Sequence, residues 1–218
     1  MTILGDYRTE DFLTDYWQQK PLLIRGASKD YEHVLSADEL AGMACEEQVE
    51  SRLVIEQTSN NGSQWLLENG PLEEHRFSKL PETHWTLLVQ GVDQWLPEVR
   101  DILSEFSFLP SWRLDDVMIS YATPEGSVGP HFDYYDVFLL QTKGRRRWKL
   151  GQACDDNTAL VEDQPLKLLA DFEQADCFEL DPGDMLYIPA GIAHWGTSLD
   201  DECMTWSIVF VRLRRKIS

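Results

Sequence analysis

Several features that would narrow the class of protein are scarce or missing in this sequence of 218 residues. No apolar run approaches the roughly 18 residues that a membrane-spanning helix needs, and no basic and then apolar leader opens the chain. We therefore expect a protein that spans no membrane, carries no secretory signal and works in the cytoplasm. The cysteines form no CxxC pair, which argues against a zinc ribbon or a disulfide framework and predicts free, buried thiols: Cys45, Cys154, Cys177 and Cys203.

Basic residues are also few. Lys and Arg number 19 against 38 Asp and Glu, which gives a formal net charge of −19. This balance argues against direct binding to nucleic acid, because phosphates require a basic surface. It suits a basic protein partner attracted over long range, although acidic charge that serves only solubility is the simpler explanation from charge alone.

Up to about residue 110 the sequence has a helix-rich pattern with a few strand-like segments. The expected helices are one capped by Thr9, one opened by a capping box of Ser36 and Glu39, and one over 96–106 with Pro97 in its first turn. The expected strands are 22–24, 51–57 and 85–92, with a hairpin turn at Asn60-Asn61-Gly62.

From residue 117 onward short strands alternate with turn residues. The candidate strands are 117–122, 130–133, 136–142, 146–150, 177–180, 185–189, 193–198 and 204–211. Eight short strands at close spacing predict a jelly roll. The predicted fold class is mainly β with α. It comprises a cupin-like double-stranded β-helix over about 111–211, preceded by the helix-rich part and followed by a basic tail at 212–218, in one domain.

Two of the five histidines have the spacing of metal ligands. His131 and Asp133 form an H-x-D pair at the expected start of a strand, where residues i and i+2 share a face and can reach one cation. His194, after a strand end and a tight turn, is the candidate third ligand. Two His and one carboxylate on one face of an octahedron leave positions for a bidentate 2-oxo acid and dioxygen, as in non-haem iron(II) oxygenases. An H-x-D pair alone often arises by chance, so the interpretation depends on the strand pattern and His194.

Strand alternation separates three adjacent arginines. Arg145 and Arg147 share the face expected to meet solvent, whereas Arg146 shares an apolar face with Trp148 and Leu150. A buried arginine needs a partner, and a carboxylate bound by both arms of the guanidinium is the natural one. We therefore predict that Arg146 binds a cosubstrate carboxylate. The alternative is a structural salt bridge to an interior Asp or Glu.

Hydroxyl groups are expected around the same cavity. On the last strand, alternation places Thr205 and Ser207 on the face opposite to Trp206, and Ser120 on the first barrel strand is placed similarly. These hydroxyls could bind cosubstrate oxygens. Hydrogen bonds to the local backbone are an equally good explanation for Ser and Thr.

Several segments together resemble a known family. Gly129–Phe138 (GPHFDYYDVF), Gly144–Trp148 (GRRRW), Asp181–Pro189 (DPGDMLYIP) and His194 resemble the bacterial Jumonji C (JmjC) ribosomal oxygenases. The stretches Tyr16–Gly26 and Ser111–Ser120 are similar to the same family, so the resemblance runs from about residue 9 to about residue 211.

The resemblance implies an iron(II) site formed by His131, Asp133 and His194, with Arg146 and Ser120 in the 2-oxoglutarate pocket. It implies hydroxylation of an arginine side chain in a basic ribosomal protein of the large subunit, with dioxygen consumed and succinate and carbon dioxide released. Members of the family continue past the barrel into a helical dimerisation region and a winged-helix-like domain. These regions are not in this sequence, and dimerisation is therefore left open.

Two alternatives remain at this point. The first is a demethylase of lysine or a hydroxylase of another protein residue; demethylases of the wider group often carry H-x-E and a cosubstrate lysine, so Asp133 and Arg146 favour hydroxylation. The second is a non-catalytic cupin-like module with a structural metal, against which the complete triad and the inward Arg146 argue, because these groups would be clustered and unpaired.

Overall fold

The computed structural model describes residues 2–59 and 62–211. Strands dominate these ranges, as the predicted fold class requires. They are β1 Leu22–Ile24, β2 Ser51–Ser59, β3 Gly62–Asn69, β4 Trp85–Val89, β5 Leu114–Ala122, β6 Asp136–Lys143, β7 Arg146–Ala153, β8 Asp176–Leu180, β9 Met185–Ile188, β10 Ile192–Ser198 and β11 Cys203–Phe210.

The helices of the described ranges are short. The α-helices are α1 Thr9–Asp15, α2 Ala37–Met43, α3 Glu74–Phe77 and α4 Pro97–Arg100, and 3₁₀ turns occupy Val92–Gln94, Asp101–Phe106 and Ser111–Arg113. The predicted capping box of α2 is confirmed, because Glu39 N donates to Ser36 Oγ at 3.2 Å and Ser36 N donates to the Glu39 carboxylate at 2.8 Å.

The strands form two antiparallel sheets. The larger sheet has eight strands in the order β1-β9-β6-β11-β5-β4-β2-β3, and the smaller has three in the order β10-β7-β8. Strands from the helix-rich part, β1 to β4, therefore complete the same sheet as strands of the predicted barrel. Side chains of both sheets line one cavity, which is how a jelly roll holds a ligand between its sheets.

The central strand β11 shows how the larger sheet divides the molecule. All eight of its residues are buried. Met204, Trp206, Ile208 and Phe210 join the main apolar cluster that packs under the short helices. Thr205 and Ser207 face the other way and line the cavity, as the alternation of the sequence predicts.

Some local predictions are wrong. No strand forms at 130–133, because Gly129 has φ 77° and Pro130 has no N–H to donate, and His131 makes only an isolated bridge to His194. The helix expected over 96–106 is α-helical only at Pro97–Arg100 and continues as a 3₁₀ turn. Thr9 opens α1 but does not cap it, since the N-cap is Arg8 and no side chain makes a capping bond.

The expectations about cysteines and membranes have mixed outcomes. All four cysteines are free, but only Cys203 is fully buried and Cys177 is exposed. Within the described ranges, no helix has the length and apolar character of a membrane span. Asn60 and Asn61 of the predicted hairpin turn, and the basic tail at 212–218, lie outside the described residues.

Candidate active site

The three predicted metal ligands lie together in the structure. His131, Asp133 and His194 each offer one ligand atom, and these atoms lie within 4.8 Å of one another. The backbone accounts for the arrangement. His131 N donates to His194 O at 3.0 Å, His194 N donates back to His131 O at 2.8 Å, and Gly191 N donates to Asp133 O at 2.7 Å. A loop paired with β10 therefore presents the H-x-D residues, rather than the strand that the sequence suggested.

Both imidazoles are oriented by their own backbone. Nδ1 of His131 lies 2.9 Å from Gly129 O, and Nδ1 of His194 lies 2.9 Å from Ile192 O. A proton on Nδ1 satisfies each carbonyl and leaves the Nε2 lone pair for a metal. Nε2 of His194 lies 3.5 Å from Asp133 Oδ2, so these two ligand atoms face a common point.

The electrostatics of the triad suit a cation. Burial and the charge of His194 lower the pKa of His131 to about 4, so this imidazole is neutral near pH 7. Burial opposes ionisation of Asp133, but the adjacent His194 and His131 imidazoles favour the carboxylate and outweigh it, so the pKa of Asp133 lies below its ordinary value. Burial and the neighbouring Asp133 carboxylate raise the pKa of Tyr135, so its hydroxyl stays protonated beside that carboxylate.

The triad forms part of the wall of a cavity of about 420 Å³. The smaller sheet contributes Arg146, Trp148 and His194 to the cavity wall. The larger sheet contributes the predicted hydroxyls and several apolar side chains: Ser120, Thr205, Ser207, Val54, Leu88 and Met118. A largely apolar pocket with a few converging polar groups is the usual form of a small-molecule site.

Arg146 has the inward position that strand alternation predicts. It is 2% exposed, and its nearest polar contacts are long, with Nη2 3.4 Å from Gly196 O and Nη1 3.9 Å from Cys203 Sγ. Its Nε has no hydrogen-bond partner within the described ranges. No Asp or Glu of those ranges pairs with it, so the salt-bridge alternative is wrong there, whereas Arg145 and Arg147 do pair with Asp200 and Glu179. A buried guanidinium without a counter-ion is suited to an incoming carboxylate.

The hydroxyls predicted around the cavity are present, but two of them already donate their protons to other groups of the protein. Ser120 Oγ donates to Thr205 O at 3.4 Å, and Thr205 Oγ1 donates to Gln141 Oε1 at 2.8 Å. Ser120, Thr205 and Ser207 are all buried and line the cavity. These bonds differ from the local backbone bonds weighed as an alternative, because Ser120 donates to a backbone carbonyl of the neighbouring strand β11 and Thr205 donates to the Gln141 side chain on β6.

Sequence reasoning missed a buried carboxylate on β5. Asp116 is 8% exposed and lies on the same strand face as Met118 and Ser120. Its Oδ2 accepts from Gln90 Nε2 at 2.6 Å, and its Oδ1 has no partner in the part of the chain that the structure describes. Burial raises the pKa of this carboxyl. The signal was available, since the alternation that selects Ser120 also selects Asp116.

A glycine on β10 also escaped the sequence reasoning. A Cβ at Gly196 would lie 2.7 Å from Arg146 Nε and 2.6 Å from Trp148 Cζ3. Only glycine therefore lets the arginine and the indole lie against this strand. Its role depends on a pairing between β10 and β7 that the sequence pattern does not specify.

Taken together, the double-stranded β-helix and the His-Asp-His group inside it define a cupin-like metal site. Residues 101–216, more than half of the chain, match the family model for the JmjC domain, and the chain belongs to that family.

Two individual proteins of this family are similar to the chain over most of its length. The chain is 42% identical over 199 residues to a probable ribosomal oxygenase of Haemophilus influenzae, covering 91% of this chain and 48% of that protein. It is 40% identical over 205 residues to ribosomal protein uL16 3-hydroxylase of Escherichia coli, covering 92% and 52% respectively.

A solved structure is also similar. The Escherichia coli ribosomal oxygenase YcfD, in complex with cobalt and 2-oxoglutarate, has a TM-score of 0.83 and 38% identity, covering 97% of this chain and 54% of that chain. This chain thus spans about half the length of the relatives it matches.

Proposed function

We propose that this chain is the catalytic part of an iron(II)- and 2-oxoglutarate-dependent oxygenase that hydroxylates an arginine side chain of a large-subunit ribosomal protein in the cytoplasm. The observation that carries the proposal is the buried Arg146, which has no carboxylate partner in the described ranges and shares a cavity with the triad. A carboxylate anchor beside a three-ligand metal group is what a bidentate 2-oxo acid with a second carboxylate requires. The ribosomal oxygenase solved with cobalt and 2-oxoglutarate supports the same assignment.

The donor set of the triad fits iron(II). Two neutral imidazoles and one carboxylate on one side of a cation leave the opposite positions for other ligands. His131 and His194 would bind through Nε2, and the Tyr135 hydroxyl would hold the Asp133 carboxylate in place. When bound, iron(II) supplies the activation of dioxygen, and 2-oxoglutarate supplies two electrons as it is converted to succinate and carbon dioxide.

The cosubstrate would extend from the triad toward the buried guanidinium. Arg146 would bind the distal carboxylate, which replaces its long contacts to Gly196 O and Cys203 Sγ with a charge-assisted pair. Ser120, Thr205 and Ser207 would line the remaining polar part of this pocket.

Asp116 supports arginine as the substrate residue. The register of β5 against β11 runs from Ala122 opposite Cys203, through Ser120 opposite Thr205, to Met118 opposite Ser207. Because Arg146 contacts Cys203, Asp116 lies toward the other end of this face from the cosubstrate anchor. A buried carboxylate with a free oxygen is a matched partner for a guanidinium that enters from that end. The net charge of −19 also suits a basic ribosomal protein.

A peptide assay tests the proposal. The protein would be incubated with iron(II), 2-oxoglutarate and peptides of large-subunit ribosomal proteins, each paired with versions in which one arginine is replaced by lysine or histidine. We expect succinate formation coupled to the gain of one oxygen atom on an arginine peptide only, measured by mass spectrometry. Oxygen gain on the lysine or histidine peptide would instead support a hydroxylase of another residue. Absence of iron binding in an anaerobic titration would refute the enzymatic proposal.

A further inference from the structure

We propose that Trp148 is a second donor to the cosubstrate, and that its indole N–H and the Arg146 guanidinium together bind the distal carboxylate. The inference rests on the proposed function, because it requires 2-oxoglutarate to occupy the cavity. Trp148 lines that cavity, and its Nε1 is buried without a hydrogen-bond partner in the described ranges. A buried donor left without an acceptor is costly, so an acceptor supplied by a ligand is the natural resolution.

The position of the indole suits this role. Along β7, Arg146, Trp148 and Leu150 share one face, and they are paired with Ser198, Gly196 and His194 of β10. Trp148 therefore lies between the carboxylate anchor and a metal ligand. The Arg146 Cζ lies 5.1 Å from the Trp148 ring centroid, and the His194 ring centroid lies 5.9 Å from it. A ligand that joins the guanidinium to the triad must pass this indole.

The orientation of the ring is restricted by Gly196. The Cζ3 and Cη2 atoms of Trp148 would lie 2.6 and 2.7 Å from a Cβ at Gly196. The benzene edge of the indole therefore rests against the backbone of β10. The pyrrole edge, which carries the N–H, is the opposite edge of the ring and is directed away from that contact.

Two of the hydroxyls nearby, those of Ser120 and Thr205, cannot easily replace this donor. Gln141 Nε2 donates to Lys143 O at 2.7 Å and to Gly144 O at 3.1 Å, which fixes the amide so that Oε1 faces Thr205. The Thr205 proton is then committed to Gln141, and the Ser120 proton to Thr205 O. A carboxylate only accepts hydrogen bonds, so a hydroxyl whose proton is committed offers it nothing but lone pairs.

An indole N–H without a partner is not by itself a binding site. Trp206 Nε1 is also buried and unpaired within the described ranges, but Trp206 belongs to the apolar core on the other face of β11. The difference between the two residues is the cavity. Trp206 therefore provides a matched control that separates ligand binding from ordinary burial.

Nuclear magnetic resonance of the whole chain tests the proposal directly. The protein would carry ¹⁵N in its eight tryptophans and Zn(II) as a diamagnetic occupant of the metal group. The signals would be assigned from the Trp148→Phe and Trp206→Phe variants, with Trp148→Tyr as a substitute if the first does not fold. Addition of 2-oxoglutarate should move the Trp148 indole proton downfield, as a new hydrogen bond to a carboxylate requires, and should leave the Trp206 signal in place.

Calorimetry on the same proteins gives an independent readout. Trp148→Phe should weaken 2-oxoglutarate binding roughly tenfold, the usual loss for a hydrogen bond to a charged group, and Trp206→Phe should not change it. A stationary Trp148 signal in protein that binds 2-oxoglutarate, or equal affinity in Trp148→Phe, would overturn this inference alone. A wild-type protein that does not bind 2-oxoglutarate would overturn the proposed function with it.

Discussion

The two faces of the larger sheet are built from the same strands but have different roles. On the core face, Phe138, Trp206 and Phe210 are fully buried, and Phe138 and Phe210 pack ring against ring at 5.6 Å. On the cavity face, the same strands bury polar side chains such as Ser120 and Thr205. Burial on the first face removes apolar surface from water and stabilises the fold.

The distribution of unsatisfied atoms shows what the second face is for. In the described ranges, five buried side-chain atoms lack hydrogen-bond partners. Three belong to residues that line the cavity, namely Thr86 Oγ1, Arg146 Nε and Trp148 Nε1, whereas Asp116 Oδ1 lies farther along β5 and Trp206 Nε1 lies in the core. A protein that satisfies its core and leaves donors and acceptors open around one cavity sacrifices some stability for binding.

The substitution expected to separate activity from stability most strongly is at the metal ligand Asp133. Asp133→Ala should abolish turnover and weaken metal binding by more than the roughly hundredfold that loss of an outer partner costs. Its melting temperature should change little, because the carboxylate is half-buried and serves no apolar packing. Metal titration and thermal melting measure both effects, with exposed Asp156→Ala as the control.

The opposite pattern is expected on the core face. Phe138→Ala removes a fully buried ring and should lower the free energy of unfolding by roughly 3–5 kcal/mol, while the fraction that remains folded binds metal normally. If Asp133→Ala unfolds the protein as Phe138→Ala does, the division into a stabilising face and a binding face is wrong.

Arg146→Met should show the next largest effect and the clearest contrast between function and stability. Methionine fills similar space without a charge, so the variant should lose most 2-oxoglutarate affinity, roughly a hundredfold for a charged bidentate contact. Its melting temperature should stay equal or rise, because a buried cation without a counter-ion is removed. A lower melting temperature together with normal cosubstrate affinity would indicate a structural arginine. Arg147→Met, on the outer face, is the matched control.

Asp116→Asn should have a smaller, pH-dependent effect. Burial raises the pKa of Asp116, so the folded state holds this proton more tightly, and the stability that the group contributes at low pH is lost as pH rises through its folded pKa. The variant should therefore melt a few degrees higher at pH 7, the shift that about 1 kcal/mol gives at this chain length, and the difference should vanish toward about pH 4.

The same variant tests substrate recognition. Asp116→Asn should lower turnover of the arginine peptide while 2-oxoglutarate affinity stays unchanged, and exposed Asp115→Asn should alter neither. An arginine peptide used equally well by Asp116→Asn would remove the support that this carboxylate gives to arginine as the substrate residue.

Much of this site could be predicted from the sequence, because it follows from short-range rules. A period of two along a strand selected Arg146 from three adjacent arginines and placed Thr205 and Ser207 on the cavity side. Distinctive residue types selected His131, Asp133 and His194, and the mainly β fold followed from many short strands.

What the sequence could not supply depends on contacts between distant segments. Gly129 and Pro130 interrupt the strand expected at 130–133, but the place of this stretch beside β10 follows from a bridge between His131 and His194. The commitment of the Thr205 proton depends on how Gln141 meets the turn at Lys143 and Gly144. The place of β1 to β4 in the larger sheet is a matter of strand order, which alternation does not determine.

Thr205→Val should give the smallest change in cosubstrate binding, because its hydroxyl proton is directed at Gln141 and not at the cavity. We expect 2-oxoglutarate affinity, measured by calorimetry, to change less than about threefold, well below the loss of one hydrogen bond to a charged group. Stability should fall instead, by about 1–3 kcal/mol, since Gln141 Oε1 is left buried and unpaired. Thr205→Ser, which keeps the hydroxyl, should restore most of that stability. A tenfold loss of affinity in Thr205→Val, recovered in Thr205→Ser, would mean that the threonine turns from Gln141 to the ligand. In that case the hydrogen-bond donors on the cavity face would include the Thr205 hydroxyl, which donates to Gln141 when no ligand is present.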